Sequence, residues 1–218
     1  MKKTLLTVAV TLFAMVLAHA QVSGGLKAGL NVNTLNNYDH KLSAFYNVDI
    51  DYKLGYHVGI YANVNIIDKI SLQPEVLYST QGVKSVYATY EAGYKEKLHL
   101  DYLNIPVLVR FNVSPVINVY AGPQLGIILR AHRKQEAFDG SNEYEAKYNI
   151  KRGMENVDWG LAVGLGVKLP VGFNASLRYN LGLTKALITS KEQNSDSVTN
   201  GVFQFSIGYK LFGGCGCY

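Results

Sequence analysis

Val157-Asp158-Trp159-Gly160-Leu161-Ala162-Val163-Gly164-Leu165-Gly166-Val167-Lys168 carries two faces at a period of two residues. Val157, Trp159, Leu161, Val163, Leu165 and Val167 make one face; Asp158, Gly160, Ala162, Gly164, Gly166 and Lys168 make the other. A period of two is a strand with different surroundings on its two sides. The residue types say which surroundings. The second face is too small and polar to build an apolar core, and the first carries no charge. A soluble barrel packs its large apolar residues inside and shows polar ones to water. A membrane barrel does the reverse, turning apolar residues to lipid around a polar interior. The stretch therefore reads as a strand in a membrane barrel.

The same pattern recurs along the chain. Its apolar faces are Leu26 to Val32, Tyr56 to Ile66, Ile70 to Tyr78, Leu103 to Phe111, Ile117 to Leu129, Phe173 to Leu183 and Phe203 to Leu211, each taken at every second residue. The opposing faces collect Gly59, Gly122, Gly126, Gly182 and Gly208 together with Asn, Ser, Gln and a few charges; Ile128 is the exception. A water-facing surface would not be so continuously apolar. Tyr56, Tyr78, Phe111, Trp159, Phe173 and Tyr209 fall near strand ends, as aromatic girdles at two membrane interfaces would. Short connections at 68–69, 112–115 and 170–172 alternate with long ones at 34–53, 82–97, 131–155 and 185–199. The predicted fold is all-β: an eight-stranded antiparallel up-and-down transmembrane β-barrel, with short periplasmic turns and long outer loops. Closure is a physical requirement, because hydrocarbon offers no partner to an open sheet edge.

Composition agrees. Of 218 residues, 48% are apolar and 17% charged, which excludes a disordered chain. Lys2 and Lys3, the apolar run 4–18 and Ala18-His19-Ala20 form a signal peptide over 1–20, with the barrel domain over 21–218. The run is too short to span a bilayer as a helix. Removing Lys2 and Lys3 lowers the formal charge from +5 to +3, spread along the chain, which argues against nucleic acid as a partner. Both cysteines, Cys215 and Cys217, lie in a Gly/Cys tail at 213–218. A C-x-C pair there can close a small ring, join two chains or hold a soft metal, but two sulfurs do not complete a tetrahedral zinc site.

Taken together, several stretches resemble the small outer-membrane β-barrel, or porin-like, family of Bacteroidota. They are Gly25 to Asn31, Leu72 to Ser79, Asp101 to Val109, Tyr120 to Gly126, Trp159 to Gly166, Arg178 to Thr184 and Ile207 to Leu211. The architecture is similar to the OmpA/OmpX class. The resemblance implies an outer-membrane location in a Gram-negative cell and handling by the barrel-insertion machinery. One departure is that Leu211-Phe212 is followed by six further residues, where such chains usually stop at an aromatic.

The inward faces carry Lys27, His57, Glu75, Arg110, Arg130, Asp158, Lys168 and Arg178. An unpaired ion in a low-dielectric interior is costly, so these must pair or meet water. The expectation is a lumen ion network with Glu75 and Asp158 as acceptors and Arg110, Arg178 and Lys168 as donors, with Glu75–Arg110 the sharpest pairing. Such a network either plugs the barrel or lines a narrow path for small solutes or ions. An eight-stranded barrel is about wide enough for its own side chains, which favours the plug. No catalytic or metal-binding constellation stands out, so no enzyme activity and no cofactor are expected. His40 and His132 are loop residues with no partner at a required spacing. Tyr87, Tyr90, Tyr94, Tyr144 and Tyr148, mixed with loop charges, suit contacts to an extracellular protein or glycan. Loop Lys and Arg suit the phosphates of lipopolysaccharide.

Overall fold

The computed structural model describes residues 22–36, 47–51, 53–88, 92–139, 142–151, 156–183 and 199–213. Residues 1–20, expected as a signal peptide, and both cysteines lie outside them. Ten strands form one sheet: β1 (Val22–Asn36), β2 (Asn47–Asp51), β3 (Lys53–Ile67), β4 (Ile70–Ala88), β5 (Ala92–Asn112), β6 (Ile117–Asp139), β7 (Asn142–Asn149), β8 (Val157–Lys168), β9 (Phe173–Gly182) and β10 (Thr199–Phe212). Eight of them close into an antiparallel barrel in the order β1-β3-β4-β5-β6-β8-β9-β10, with β10 back on β1. β2 pairs with β4, and β7 pairs with β6, beyond the barrel body.

The register gives the barrel its shape. From Arg110 one walk runs through Tyr120, Gly164, Arg178, Gln204 and Asn31 to Gly55 on β3. The other runs through Ser71 to Asn65 on the same strand. The two arrivals are ten residues apart, so the shear is ten. A shear above the strand number tilts the strands by about 40°. From Tyr56 to Ile66 the outward apolar face of β3 covers ten residues. At about 3.3 Å per residue and that tilt it rises about 25 Å, the height of an outer-membrane apolar band.

Exposure divides the two faces as the alternation requires. Leu30 is 58% and Ile60 56% exposed, while Glu75 and His57 are each 1% exposed. An outward wall of Leu, Ile, Val and Phe this continuous meets lipid, not water. The inward glycines make room for neighbouring side chains in a narrow lumen. A Cβ on Gly164 would meet the Tyr120 ring, and one on Gly208 would meet the Asn174 amide.

Two expectations are corrected. Segments 82–97 and 131–155 are largely strand: β4, β5, β6 and β7 continue past the apolar belt as a sheet extension. On β7 the described side chains Tyr144 and Tyr148 of one face and Glu145 and Lys147 of the other are exposed, so that strand carries no apolar alternation to mark it. Arg130 is exposed and does not line the lumen. The β5–β6 register pairs Asp101 with Arg130 but Tyr102 with Ile128, leaving Leu129 as an extra residue. Such a bulge reverses facing beyond it. Ile128 stays inward and packs with Leu100, Tyr102 and Ala131, with Leu98 and Ile150 alongside, as an apolar cluster at the long-loop end of the lumen.

Candidate functional site

The lumen is filled by stacked layers of inward side chains. At the centre Glu75 of β4 accepts from Lys27 Nζ of β1 at 2.5 Å, from Gln73 Nε2 at 2.5 Å and from Arg178 Nη2 of β9 at 2.8 Å, all at Oε1. In the ring of eight, β4 and β9 stand four strands apart either way. The Glu75–Arg178 bond therefore crosses the lumen on a diameter. Aromatic rings close its flanks: Arg178 lies 5.3 Å from the Tyr120 centroid and Lys27 5.7 Å from that of Tyr61. Leu77 and Leu108, both 0% exposed, turn inward beside them.

Toward the long-loop end comes a neutral layer. His57 Nδ1 meets Asn31 Oδ1 at 2.7 Å, and Nε2 meets Ser206 Oγ at 2.8 Å. An amide oxygen only accepts, so Nδ1 carries the hydrogen and Nε2 receives the Ser206 hydroxyl. Asn31 Nδ2 donates onward to Ser79 Oγ at 2.9 Å, and Gln204 Nε2 donates to Asn31 Oδ1 at 3.0 Å. Above it Tyr102 donates its hydroxyl to Asp158 Oδ2 at 2.6 Å. Next to that bond a small cavity of about 40 Å³ is lined by Gln81, Asn104, Gln124 and Asn180 among others.

The expected network is thus rearranged. Glu75 and Arg178 are brought together, but Glu75 and Arg110 are not. Arg110 lies opposite Ser71, four residues along β4 from Glu75, and Pro106 takes the place beside Glu75. Adjacency of strands does not set register, and register decides which side chains meet. Lys168 is exposed at the short-turn end of β8, away from Glu75, because it is the last residue of its strand. Asp158 sits in the Tyr102 layer. The sequence reading named Lys27 as inward but did not place it in the network. Its signal was its register with Gly59, which stands opposite Leu77 next to Glu75 on β4.

The sheet extension carries the other cluster. Lys97, Lys134 and Lys147 face one another in a row across β5, β6 and β7, on the outward side. Like charges directly opposite repel, and two carboxylates offset this. Glu136 accepts from Lys97 and Lys134 at 2.9 Å each, and Glu145 lies 3.1 Å from Lys134 and 3.7 Å from Lys147. The bond from Lys97, then that from Lys134, holds the Glu136 carboxyl down to about 2. Tyr144 and Tyr148 are exposed on the opposite face of β7. Tyr90 and the side chains of Tyr87 and Tyr94 lie outside the described residues. Among the described residues no group of three or more His, Cys, Asp or Glu could hold a metal ion.

A closed eight-stranded barrel, apolar outside and ion-paired inside, defines an outer-membrane protein. The sequence model of the outer membrane protein β-barrel domain matches residues 19–187, and the chain belongs to that family. Short turns then mark the periplasmic end and the extension the outer end. Solved structures similar to it include Ail, the attachment invasion locus protein of Yersinia pestis, at 10% identity and a TM-score of 0.43, over 88% of this chain and 99% of that one. Neisserial surface protein A is 12% identical with a TM-score of 0.43, over 87% of this chain and 99% of that one. E. coli outer membrane protein W is 14% identical with a TM-score of 0.40, over 88% of this chain and 100% of that one. No curated protein matches the sequence.

Proposed function

We propose that this chain is a structural and surface-contact protein of a Gram-negative outer membrane, of the Bacteroidota porin-like type, with a plugged lumen and no catalytic role. The observation that carries the reading is the diametral Glu75–Arg178 bond, which with Lys27 and Gln73 bars the lumen at its centre. Side chains of this size fill an eight-stranded interior. Export by a cleaved signal peptide over 1–20 and delivery through the barrel-insertion machinery belong to the same reading. Contact then falls to the outer sheet. The outward row of Lys97, Lys134 and Lys147, beyond the lipid-facing belt, suits the phosphates of lipopolysaccharide. Exposed Tyr144 and Tyr148 on the other face suit an extracellular protein or glycan.

A narrow solute or ion path is the second reading. It is favoured by buried polar atoms along the lumen that no protein group satisfies, Asn104 Nδ2, Gln124 Oε1 and Asn180 Nδ2 among them. Single-channel recording of the refolded mature protein in a planar bilayer separates the two. Silence, with refolding confirmed by heat-dependent gel mobility, is the expected result. Reproducible conductance steps would replace the plug with the channel.

A further inference from the structure

The charges of the lumen do not balance. Among the described residues, Lys27, Arg110 and Arg178 are buried cations in its central and periplasmic parts, and Glu75 is the one buried carboxylate there. Glu75 Oε1 already takes Lys27, Arg178 and Gln73. Arg110 is 8% exposed, and its Nε has no hydrogen-bond partner. Arg178 likewise keeps Nε and Nη1 without an acceptor. A buried guanidinium that keeps an unsatisfied N–H and shares one carboxylate with two other cations is costly in a folded chain.

The surroundings add hydroxyls and no further acid, beside unpartnered acceptor oxygens at Glu75 Oε2, Asn63 Oδ1 and Asn112 Oδ1. Ser71 lies directly opposite Arg110 and Ser176 is two residues from Arg178. Both hydroxyls are buried without a partner. Toward the periplasm the same inward face continues with Lys168 and Lys210, and Arg110 and Lys210 both act electrostatically on Lys168. Amides of Asn63, Asn65, Asn112 and Asn174 line the rest of that mouth. Lys168 is exposed, so the mouth is open to water. Asp68, the remaining acid at this end among the described residues, is exposed on the short turn between β3 and β4.

We propose that the periplasmic mouth of the barrel binds a small oxyanion of the inorganic phosphate class, held by Arg110 at its inner end and by Lys168 at the rim. Guanidinium forks match tetrahedral oxyanions geometrically, and hydroxyl and ammonium donors complete the shell. Binding at this mouth does not depend on whether the lumen conducts, so its test is independent of the bilayer recording.

The test titrates inorganic phosphate into the refolded mature protein in an uncharged detergent, at constant ionic strength held with gluconate. A ligand that binds only the folded state raises the unfolding midpoint in a saturable way. The wild type is expected to show that rise. Arg110→Gln is expected to require at least about tenfold more phosphate for the same rise, consistent with loss of a charge-assisted contact. Without phosphate, Arg110→Gln should be no less stable than the wild type, since it removes an uncompensated cation. Lys168→Gln, at an exposed position that does not endanger folding, should weaken the response less. A wild-type midpoint indifferent to phosphate overturns the proposal, as does an equal response in Arg110→Gln and Lys168→Gln.

Discussion

Replacing Glu75 by Gln keeps the shape of the central layer and removes its charge. The structure sets the scale of the effect. Lys27 and Arg178 are each bound to the same carboxylate, with side chains 2% exposed against 0% for Glu75. Removing one partner of a buried ion pair typically costs about 3–5 kcal/mol, because the survivor is left uncompensated. Here two survivors share the loss, and they share it with Arg110. We expect about 4 kcal/mol. With a urea slope of about 2 kcal/mol per M, the unfolding midpoint falls by about 2 M. The assay is equilibrium urea unfolding of the refolded barrel, followed by tryptophan fluorescence from Trp159 and by gel mobility. Lys27→Met in the Glu75→Gln background should recover part of the loss, since it withdraws one stranded cation; a double-mutant cycle measures that coupling. A midpoint shift under about 0.5 M for Glu75→Gln, on the same slope, would refute the plug as a stability element.

Other outcomes follow from single contacts. Tyr102→Phe removes the bond to Asp158 at 2.6 Å and should cost about 1.5–2 kcal/mol in the same urea assay, while Tyr148→Phe at an exposed site should cost nothing measurable. Val171 and Gly172 have φ of 60° and 84° in the β8–β9 turn, the backbone of a type I′ hairpin, which a β-branched residue fits badly. Val171→Asn should therefore stabilise the barrel by about 1 kcal/mol, read as a raised urea midpoint. Glu136 supports the outer sheet while ionised. Its carboxyl is depressed from 4.5 to about 2, so the support is whole above pH 4.5 and is lost as pH falls toward 2. Hydrogen-exchange protection factors in β6 and β7, referred to the intrinsic exchange rate at each pH, should fall over that window in the wild type and stay level in Glu136→Gln.

Much of the architecture was written in the chain's period of two. Alternation identified the eight barrel strands, and small inward residues such as Gly160, Gly164 and Gly166 identified which face meets lipid. Those signals are local, because a strand turns every side chain the same way regardless of its neighbours. Three things were not local. The Leu129 bulge sent Arg130 outward, and nothing in the alternation from Ile117 to Leu129 announces an extra residue against β5. Strand β7, whose described side chains are exposed on both faces, had no apolar alternation to reveal it. The partner of Glu75 depended on register and shear: β4 and β5 touch, yet Arg110 comes level with Ser71, while Arg178 reaches Glu75 from across the lumen. Sequence alone determined what kind of wall this chain builds and, short of the Leu129 bulge, which residues face its interior. Only closure of the barrel at a shear of ten decided which of those residues share a height, and so which charges are paired and which one, Arg110, is left at the periplasmic mouth.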